Sequence, residues 1–325
     1  MVKETIIFAL TSSVDLASKI AEDLELPLGK IKVDHFADGE ILVTPQETVR
    51  GRSVFVVQST CTPVTERLME VLVCIDALKR ASAAEINVIM PYYGYARQDR
   101  KADAHQPITA KLVADLLQVA GASRVLTIDI HAPQIQGYFD IPVDDLTAVP
   151  MLGYNILKNI KPEDEFVVVS PDHGGVVRAR RLAEILQAPL AIVDKRRPRP
   201  NEVEAQNVIG DVAGKTAIVV DDICDTAGSL CAACKIISEH GANKVYAAVT
   251  HGIFSRDAVD KINASPIEKI YVTDTIPLNE KAKECDKIVQ LSVADMVAQS
   301  IDAIQNHKSV SRVYDLYESK KLQSL

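Results

Sequence analysis

The sequence lacks both the long apolar segments of a membrane protein and the excess positive charge of a nucleic-acid-binding protein. No uninterrupted apolar run approaches the roughly 20 residues that a helix needs to span a bilayer. The first eight residues, from Met1 to Phe8, lack the layout of a secretory signal peptide. The formal net charge is −8 at pH 7, so the chain as a whole does not attract nucleic acid. We therefore expect a cytoplasmic protein that binds neither a membrane nor nucleic acid.

The cysteines do not form a zinc-binding pattern. They stand at positions 61, 74, 224, 231, 234 and 285, and Cys231 and Cys234 have the spacing of a metal or redox pair. No second pair of cysteines or histidines has zinc-ligand spacing relative to them. Because the two residues lie in an alanine-rich segment with helical apolar spacing, we expect buried, reduced thiols.

Length and composition predict two domains. With 325 residues, of which 47% are hydrophobic, the chain can bury more than one core. Residues 49–57 resemble residues 212–220, and each segment leads through a loop and a helix to a further apolar strand, at 84–90 and 243–249. A chance similarity of two α/β units is the alternative, but a duplicated domain of β-α-β units is favoured. We place the boundary after residue 148, which gives domains of residues 1–148 and 149–325.

The most informative segment runs from the second repeat into two carboxylates and a small, hydroxyl-rich turn. Residues 215–220 have the composition of a buried parallel strand and residues 230–237 have helical spacing, so the turn precedes a helix N-terminus. Free backbone N–H groups and the helix dipole suit such a turn to a phosphate, and the carboxylates can accept hydrogen bonds from vicinal sugar hydroxyls. Ordinary helix capping beside a solvated acidic loop is the alternative. The predicted sugar-phosphate site comprises Asp221, Asp222, Asp225, Thr226, Ala227, Gly228 and Ser229.

The first repeat lacks the carboxylates of the second. It has Gln58 and Ser59 where the second repeat has Asp221 and Asp222. Only the second repeat can therefore bind ribose in this way, and the first is free for another ligand or for assembly.

Two loops of the N-terminal half have residues that suit a nucleotide. Residues 95–101 follow a strand that ends at Met90 and include three cations, which suits a polyphosphate. A solvated charge run is an equally common alternative. Residues 34–40 form a second loop, in which Phe36 can stack on a base while neighbouring carboxylates accept hydrogen bonds from its amine or from ribose.

Two further segments point to phosphate chemistry. His131 and Asp172 each follow a predicted strand, one in each half, and such a pair can hold Mg²⁺ together with water and substrate phosphates. A structural role for His131 is the alternative. Four cations lie between Lys195 and Arg199, before the polar residues 201–207. We interpret this segment as a mobile basic flap that closes over phosphates, with a nucleic-acid patch or a localisation signal as the alternative.

Taken together, these loops resemble those of the class I ribose-phosphate diphosphokinases, also called phosphoribosyl diphosphate synthetases. The similarity extends from Phe8 to Ser311, and six motifs occur in the family's order. A phosphoribosyltransferase would account for the turn at 221–229 but not for the duplication or the flap. The resemblance implies two similar phosphoribosyltransferase-type α/β domains, each with a mainly parallel sheet flanked by helices. It also implies a homo-oligomer, a hexamer, whose ATP sites are partly shared between subunits.

The same resemblance implies a reaction and the roles of individual residues. ATP and ribose 5-phosphate would give AMP and 5-phosphoribosyl 1-diphosphate, through attack of the anomeric hydroxyl on the β-phosphorus, with Mg²⁺ as cofactor. The implied catalytic residues are Lys195 and Arg197, of which Arg197 also binds ribose 5-phosphate, and the implied metal ligands are His131 and Asp172. The implied ATP site comprises Phe36, Asp38, Gly39, Glu40, Arg97 and Gln98. The implied ribose 5-phosphate site comprises Asp221, Asp222, Asp225, Thr226, Ala227, Gly228 and Ser229.

The chain departs from the family's pattern in places. Cys224 stands where an aliphatic residue is usual and Ser229 where threonine is usual, and both exchanges preserve size or the hydroxyl. The implied allosteric phosphate site comprises Arg50, Ser82, His105, Ser309 and Ser311, in which His105 replaces a common arginine, and the tail beyond it departs from the usual ending. A non-catalytic synthetase-associated subunit is a further alternative, but it would lack flap or loop residues that are present here. A regulatory module that contacts RNA would need a second, basic face, and none is visible.

Overall fold

The chain folds into two compact units, each with a hydrophobic core of its own. The structure, a computed structural model, describes residues 4–159, 165–196 and 205–314. The chain passes from the first unit to the second between Thr147 and Ala148. Within the described residues, no helix is both long and apolar enough to cross a bilayer.

The first unit is built on a five-stranded, fully parallel sheet. Its elements are, in chain order, β1 (Thr5–Ala9), α1 (Val14–Asp23), β2 (Ile31–His35), β3 (Ile41–Pro45), β4 (Ser53–Val57), α2 (Val64–Arg80), β5 (Glu85–Met90), α3 (Thr109–Ala120), β6 (Arg124–Ile128) and β7 (Val143–Leu146). The strand order is β1-β4-β5-β6-β7, while β2 and β3 form a separate antiparallel hairpin. All residues of β4 are buried, as expected for a central parallel strand that is covered on both faces.

The second unit contains a seven-stranded sheet. Its elements are α4 (Val149–Asn159), β8 (Phe166–Ser170), α5 (Val176–Leu186), β9 (Leu190–Arg196), β10 (Ala205–Ile209), β11 (Thr216–Cys224), α6 (Gly228–Glu239), β12 (Lys244–Gly252), α7 (Ala258–Ala264), β13 (Ile267–Thr273), α8 (Glu280–Lys283) and β14 (Ile288–Leu291). The order is β10-β9-β8-β11-β12-β13-β14, and β10 alone of these strands runs antiparallel to its neighbour. The predicted α/β fold with mainly parallel sheets flanked by helices is confirmed.

The two sheets share one strand order, as the sequence repeat predicts. The order β1-β4-β5-β6-β7 corresponds strand for strand to β8-β11-β12-β13-β14. In the first unit, Leu28 forms a parallel bridge to Ile7 of β1, which corresponds to the pairing of β9 with β8 in the second unit. In chain order, the β2–β3 hairpin therefore comes after β1 and α1, just as the β9–β10 hairpin comes after β8 and α5 in the second unit. β4 and β11, the centres of the two repeats, occupy equivalent positions.

The last described residues pack with the first unit. Helix α9 (Ala294–Gln305) packs against α1 through a buried apolar face that includes Val297 and Ile301. Gln305 Nε2 also donates a hydrogen bond of 2.7 Å to Ser53 Oγ at the start of β4. The sequence-based division assigns these residues to the C-terminal domain, whereas residues 292–314 belong to the first unit in the structure. The difference arises because the apolar face of α9 covers α1, which sequence spacing alone does not reveal.

Candidate active site

The central strand of the second unit is longer than its apolar run. β11 continues through Asp221 and Asp222 to Cys224, although the sequence predicts that the strand ends at Val220. The extension exists because β12 pairs with β11 as far as Cys224, whereas β8 pairs with it only as far as Val219. The two carboxylates therefore lie in the part of the strand that has lost its β8 neighbour.

The turn between β11 and α6 leaves the start of the helix open. Ala227 is buried and has a left-handed backbone with φ of 58°, and α6 begins at the exposed Gly228. A Cβ atom on Gly228 would find its nearest neighbour, Thr226 Oγ1, at 3.8 Å. Among the described residues, no side chain caps α6. The first N–H groups of this helix can therefore bind an anion such as a phosphate.

Backbone hydrogen bonds hold the turn in place from the next loop. The carbonyl of Cys224 accepts from the Ile253 N–H at 2.9 Å, and that of Asp225 accepts from the Ser255 N–H at 2.9 Å. Lys261 Nζ donates to the Thr226 carbonyl at 3.4 Å. The turn is therefore a preformed structure, supported by the segment that follows β12.

A cation from a neighbouring helix faces the paired carboxylates. Arg178 Nη1, from the first turn of α5, lies 3.4 Å from Asp221 Oδ1 and 3.3 Å from Asp222 Oδ1. The Asp222 N–H donates to Asp221 Oδ1 at 2.9 Å. Burial first, and then the hydrogen bond and charge of Asp222, raise the pKa of Asp221 to about 7, whereas Arg178 acts in the opposite direction.

The two predicted metal ligands are both exposed, and they belong to different units. Asp172 follows β8, and its Oδ1 accepts from the Gly175 N–H at 3.0 Å. His131 follows β6. In the described part of the chain, no group of three or more potential ligands among histidine, cysteine, aspartate and glutamate is arranged to hold a metal.

His173, the residue after Asp172, has no role in the site predicted from the sequence. In the structure its Nε2 lies 3.1 Å from Oδ1 of the buried Asp194.

The predicted flap begins as a strand and not as a loop. Lys195 and Arg196 are the last residues of β9, and they pair with Gln206 and Ala205 of β10. The strand continues into the basic segment because its ladder uses backbone N–H and C=O groups, which every residue here supplies. The side chain of Lys195 and the whole of Arg197 lie outside the described residues.

The predicted ATP loops flank the first turn of α2 in the first unit. Phe36, Asp38, Gly39 and Glu40 form the turn between β2 and β3, where Phe36 is 55% exposed. His35 Nε2, at the end of β2, lies 3.8 Å from Glu66 Oε1 of α2. The Tyr95 hydroxyl, just before Arg97 and Gln98, lies 3.4 Å from Thr65 Oγ1 of the same helix. Both loops thus contact one helix end, and the exposed ring of Phe36 is available for stacking.

The predicted allosteric residues form local pairs in the first unit. Arg50 Nη1 donates to Ser82 Oγ at 3.1 Å, and Ser82 has a positive φ of 65°. Ser309 Oγ and Ser311 Oγ lie 2.7 Å apart. His105 is exposed in the loop before α3, also with a positive φ.

Where the second repeat has Asp221 and Asp222, the first repeat has a network of other polar side chains. Gln58 Nε2 donates at 2.6 Å to the carboxylate of the fully buried Glu70. Arg67 Nη1 and Thr11 Oγ1 donate to the same carboxylate at 2.5 and 2.7 Å. Ser12 Oγ donates to Gln58 Oε1 at 2.8 Å. This network occupies the end of β4, which is equivalent in strand order to the end of β11.

Family models and known relatives match this chain, and together these matches cover nearly all of it. The family model described as the N-terminal domain of ribose phosphate pyrophosphokinase matches residues 5–121, and that of the phosphoribosyl synthetase-associated domain matches residues 178–315. A ribose-phosphate pyrophosphokinase from Bacillus caldolyticus is 56% identical over 309 residues, which cover 95% of this chain and 97% of the relative. The chain belongs to the ribose-phosphate pyrophosphokinase family.

Two further matches extend this finding. A ribose-phosphate pyrophosphokinase from Caldanaerobacter subterraneus is 57% identical over 309 residues, covering 95% of this chain and 97% of the relative. The crystal structure of phosphoribosylpyrophosphate synthetase from Mycobacterium smegmatis superposes with a TM-score of 0.88 at 40% identity, covering 94% of this chain and 100% of that one. The resemblance predicted from the loop motifs is therefore confirmed.

Three of the cysteines lie in β11 and α6, on either side of the turn at residues 225–229. Cys224 and Cys234 are buried, and burial raises the pKa of both thiols far above the usual range. Cys231 is half-buried, with its pKa raised for the same reason. All six cysteines are free. The prediction of reduced thiols is consistent with this arrangement, since protonated thiols bind metals and react poorly.

Proposed function

We propose that this chain transfers the β,γ-diphosphoryl group of ATP to ribose 5-phosphate. The observation that supports the proposal best is the juxtaposition in β11 and α6. Two carboxylates that can accept hydrogen bonds from sugar hydroxyls lie a few residues before an uncapped helix N-terminus that suits a 5-phosphate. The products would be AMP and 5-phosphoribosyl 1-diphosphate.

The reaction requires no covalent bond to the protein. The anomeric oxygen of ribose 5-phosphate forms a bond to the β-phosphorus as the bond between that phosphorus and the α,β-bridging oxygen breaks. AMP leaves with the bridging oxygen, and the anomeric hydroxyl loses its proton. The protein contributes alignment and charge stabilisation, for which we assign Lys195 and Arg197, while Asp225 to Ser229 hold the 5-phosphate.

We propose Mg²⁺ as the cofactor, with His131 and Asp172 as its protein ligands. The donor set fits an ion that is held mainly by water and substrate phosphates, because Asp172 offers an exposed carboxylate beside a strand end. When bound, the ion would neutralise charge on the triphosphate. Asp172 itself is kept in place by the Gly175 N–H, which donates to its Oδ1.

For ATP we assign Phe36 to stacking on the adenine, and Asp38, Gly39, Glu40, Arg97 and Gln98 to the rest of the nucleotide.

Because the family resemblance implies a site shared between subunits, we propose a homo-oligomer, a hexamer. The first unit of each chain would serve as the ATP-loop domain and the second unit as the ribose-phosphate domain. Sedimentation at micromolar concentration tests the assembly, and a fully active monomer would contradict it.

We further propose that inorganic phosphate activates the protein at Arg50, Ser82, His105, Ser309 and Ser311. An arginine offers an anion more hydrogen-bond donors, in a planar fork, than an imidazole does, so His105→Arg should tighten the binding of the activating phosphate. Phosphate activation curves for wild type and His105→Arg test this. Equal half-saturation in both proteins would exclude a role for His105.

One experiment separates this function from two others, those of a phosphoribosyltransferase and of a non-catalytic associated subunit. The purified protein should form AMP from ATP when ribose 5-phosphate is present and none without it. Asp225→Ala, a change in the proposed phosphate turn (Asp225 to Ser229), serves as a comparison variant and should form less AMP at low ribose 5-phosphate concentration. No AMP from an intact, folded protein would favour the non-catalytic subunit, and release of diphosphate from 5-phosphoribosyl 1-diphosphate on addition of a nucleobase would favour the transferase.

A further inference from the structure

Arg178 is a largely buried cation with two acidic neighbours. Its side chain is 18% exposed, and those of Asp221 and Asp222 are 24% and 7% exposed. A single guanidinium nitrogen, Nη1, lies within 3.4 Å of one oxygen from each carboxylate. The three residues come from α5 and β11, so the contact exists only in the folded second unit.

Two adjacent carboxylates at a half-buried strand end do not stay ionised without help. Burial and like charge both favour protonation of one member of such a pair, and a nearby cation opposes this. A protonated carboxyl offers fewer acceptor positions to a sugar hydroxyl than a carboxylate does. Because one guanidinium nitrogen lies between the two carboxylates, a lysine ammonium at this position could supply part of the same charge.

We propose that Arg178 is a positioning residue for ribose recognition, because it holds Asp221 and Asp222 side by side as acceptors for the vicinal hydroxyls of ribose 5-phosphate. The inference rests on the proposed function. Arg178 acts through the carboxylates and does not touch the substrate or the transferred phosphorus. It therefore determines how well the protein distinguishes a sugar that has both hydroxyls from one that lacks the 2-hydroxyl.

The test uses Arg178→Met and Arg178→Lys in the full chain, with Arg180→Met as the matched control. Arg180 is exposed on the same helix, two positions along. Binding of ribose 5-phosphate and of 2-deoxyribose 5-phosphate is measured by calorimetry, and KM and kcat for ribose 5-phosphate and ATP by AMP formation. Thermal unfolding of each variant is recorded alongside.

Arg178→Met should weaken ribose 5-phosphate binding about 10- to 100-fold, as expected when hydrogen bonds to charged groups are lost. It should weaken 2-deoxyribose 5-phosphate binding less, so that the preference for ribose falls, while kcat at saturation and the KM for ATP stay close to wild type. Arg178→Lys should recover part of the loss, and Arg180→Met should behave as wild type. A merely structural defect would weaken both sugars equally.

Four results would overturn the proposal. Unchanged affinity and preference in Arg178→Met would show that the ion contacts are incidental, and an equal rise in the KM for ATP would show that Arg178 contacts phosphate directly. Wild-type protein that binds no ribose 5-phosphate would overturn this proposal together with the proposed function, whereas binding without AMP formation would overturn the proposed function alone. If Arg178→Met does not fold, Arg178→Lys carries the test, and its failure to lower the ribose preference would refute the assignment.

Discussion

The raised pKa of Asp221 predicts a specific pH dependence for the use of ribose 5-phosphate. Burial and Asp222 raise this pKa to about 7, so the carboxylate forms as the pH rises through neutrality. A group with this pKa is about 10% ionised at pH 6 and about 90% ionised at pH 8. If the ionised form binds the sugar, kcat/KM for ribose 5-phosphate should fall about tenfold from pH 8 to pH 6.

Asp221→Asn isolates this effect from the titration of the substrate. The phosphate of ribose 5-phosphate has a second pKa of about 6, and it lowers kcat/KM at acid pH in any variant. The side-chain amide of this variant cannot ionise, so the ratio of wild-type to variant kcat/KM should rise about tenfold between pH 6 and pH 8. A ratio that is independent of pH would refute the role assigned to the Asp221 carboxylate.

The same shift has a consequence for stability. The pKa of Asp221 is about 7 in the folded protein, against 3.8 in the unfolded chain. Below pH 3.8 the group is protonated in both states and does not change the free energy of unfolding. Between pH 3.8 and about 7 it lowers the free energy of unfolding progressively, because only the unfolded chain ionises readily there. Relative to wild type, Asp221→Asn should therefore gain thermal stability at pH 8 and gain less at pH 5. A larger gain at pH 5 would contradict the direction of the shift.

Further predictions concern the flap, the phosphate turn and the loop that supports it. Lys195→Ala should lower kcat by about 100- to 1,000-fold in steady-state assays, because a group that stabilises charge in the transition state is lost. An unchanged kcat with an altered KM would instead show that the flap only binds substrate. Ser229→Ala should raise the KM for ribose 5-phosphate and leave kcat near wild type, since the 5-phosphate does not change charge during the reaction. Gly252→Ala should lower the free energy of unfolding by about 1–3 kcal/mol in denaturant titrations, because its Cβ would meet the ring of buried Phe254 at 2.5 Å. Gly137→Ala, where a Cβ meets open space, is its control, and equal effects of the two would contradict the packing argument.

Much of the second unit's site could be predicted from local sequence, because local chemistry determines it. The apolar run before Asp221 predicts a buried strand, and the small residues at 227–229 predict a turn that ends in a helix N-terminus. The extension of β11 to Cys224 could not be predicted in this way. Two adjacent carboxylates suggest a loop, and they stay in the strand because β12 continues to pair with β11 as far as Cys224.

Contacts between distant segments were beyond the reach of sequence patterns. Arg178 is one of several cations on a predicted helix, and nothing in its spacing distinguishes the one that reaches β11. Likewise, the sequence reveals that Gln58 replaces a carboxylate, but not that Glu70 and Arg67 fill the space beside it. The apolar face of α9 is also ambiguous, since a helical pattern does not specify which core the helix covers. Side-chain partners of this kind depend on tertiary packing.

An isotope-labelling experiment that identifies which phosphorus of ATP is attacked tests the proposed reaction most directly. ATP labelled with ³²P at the β-position is incubated with the protein, Mg²⁺ and ribose 5-phosphate, and the products are separated. Transfer of the β,γ-diphosphoryl group predicts that the label appears in 5-phosphoribosyl 1-diphosphate, in equal amount to unlabelled AMP. Label that appears in ADP, with an unlabelled ribose 1,5-bisphosphate as the sugar product, would instead show attack on the γ-phosphorus and contradict the proposed function.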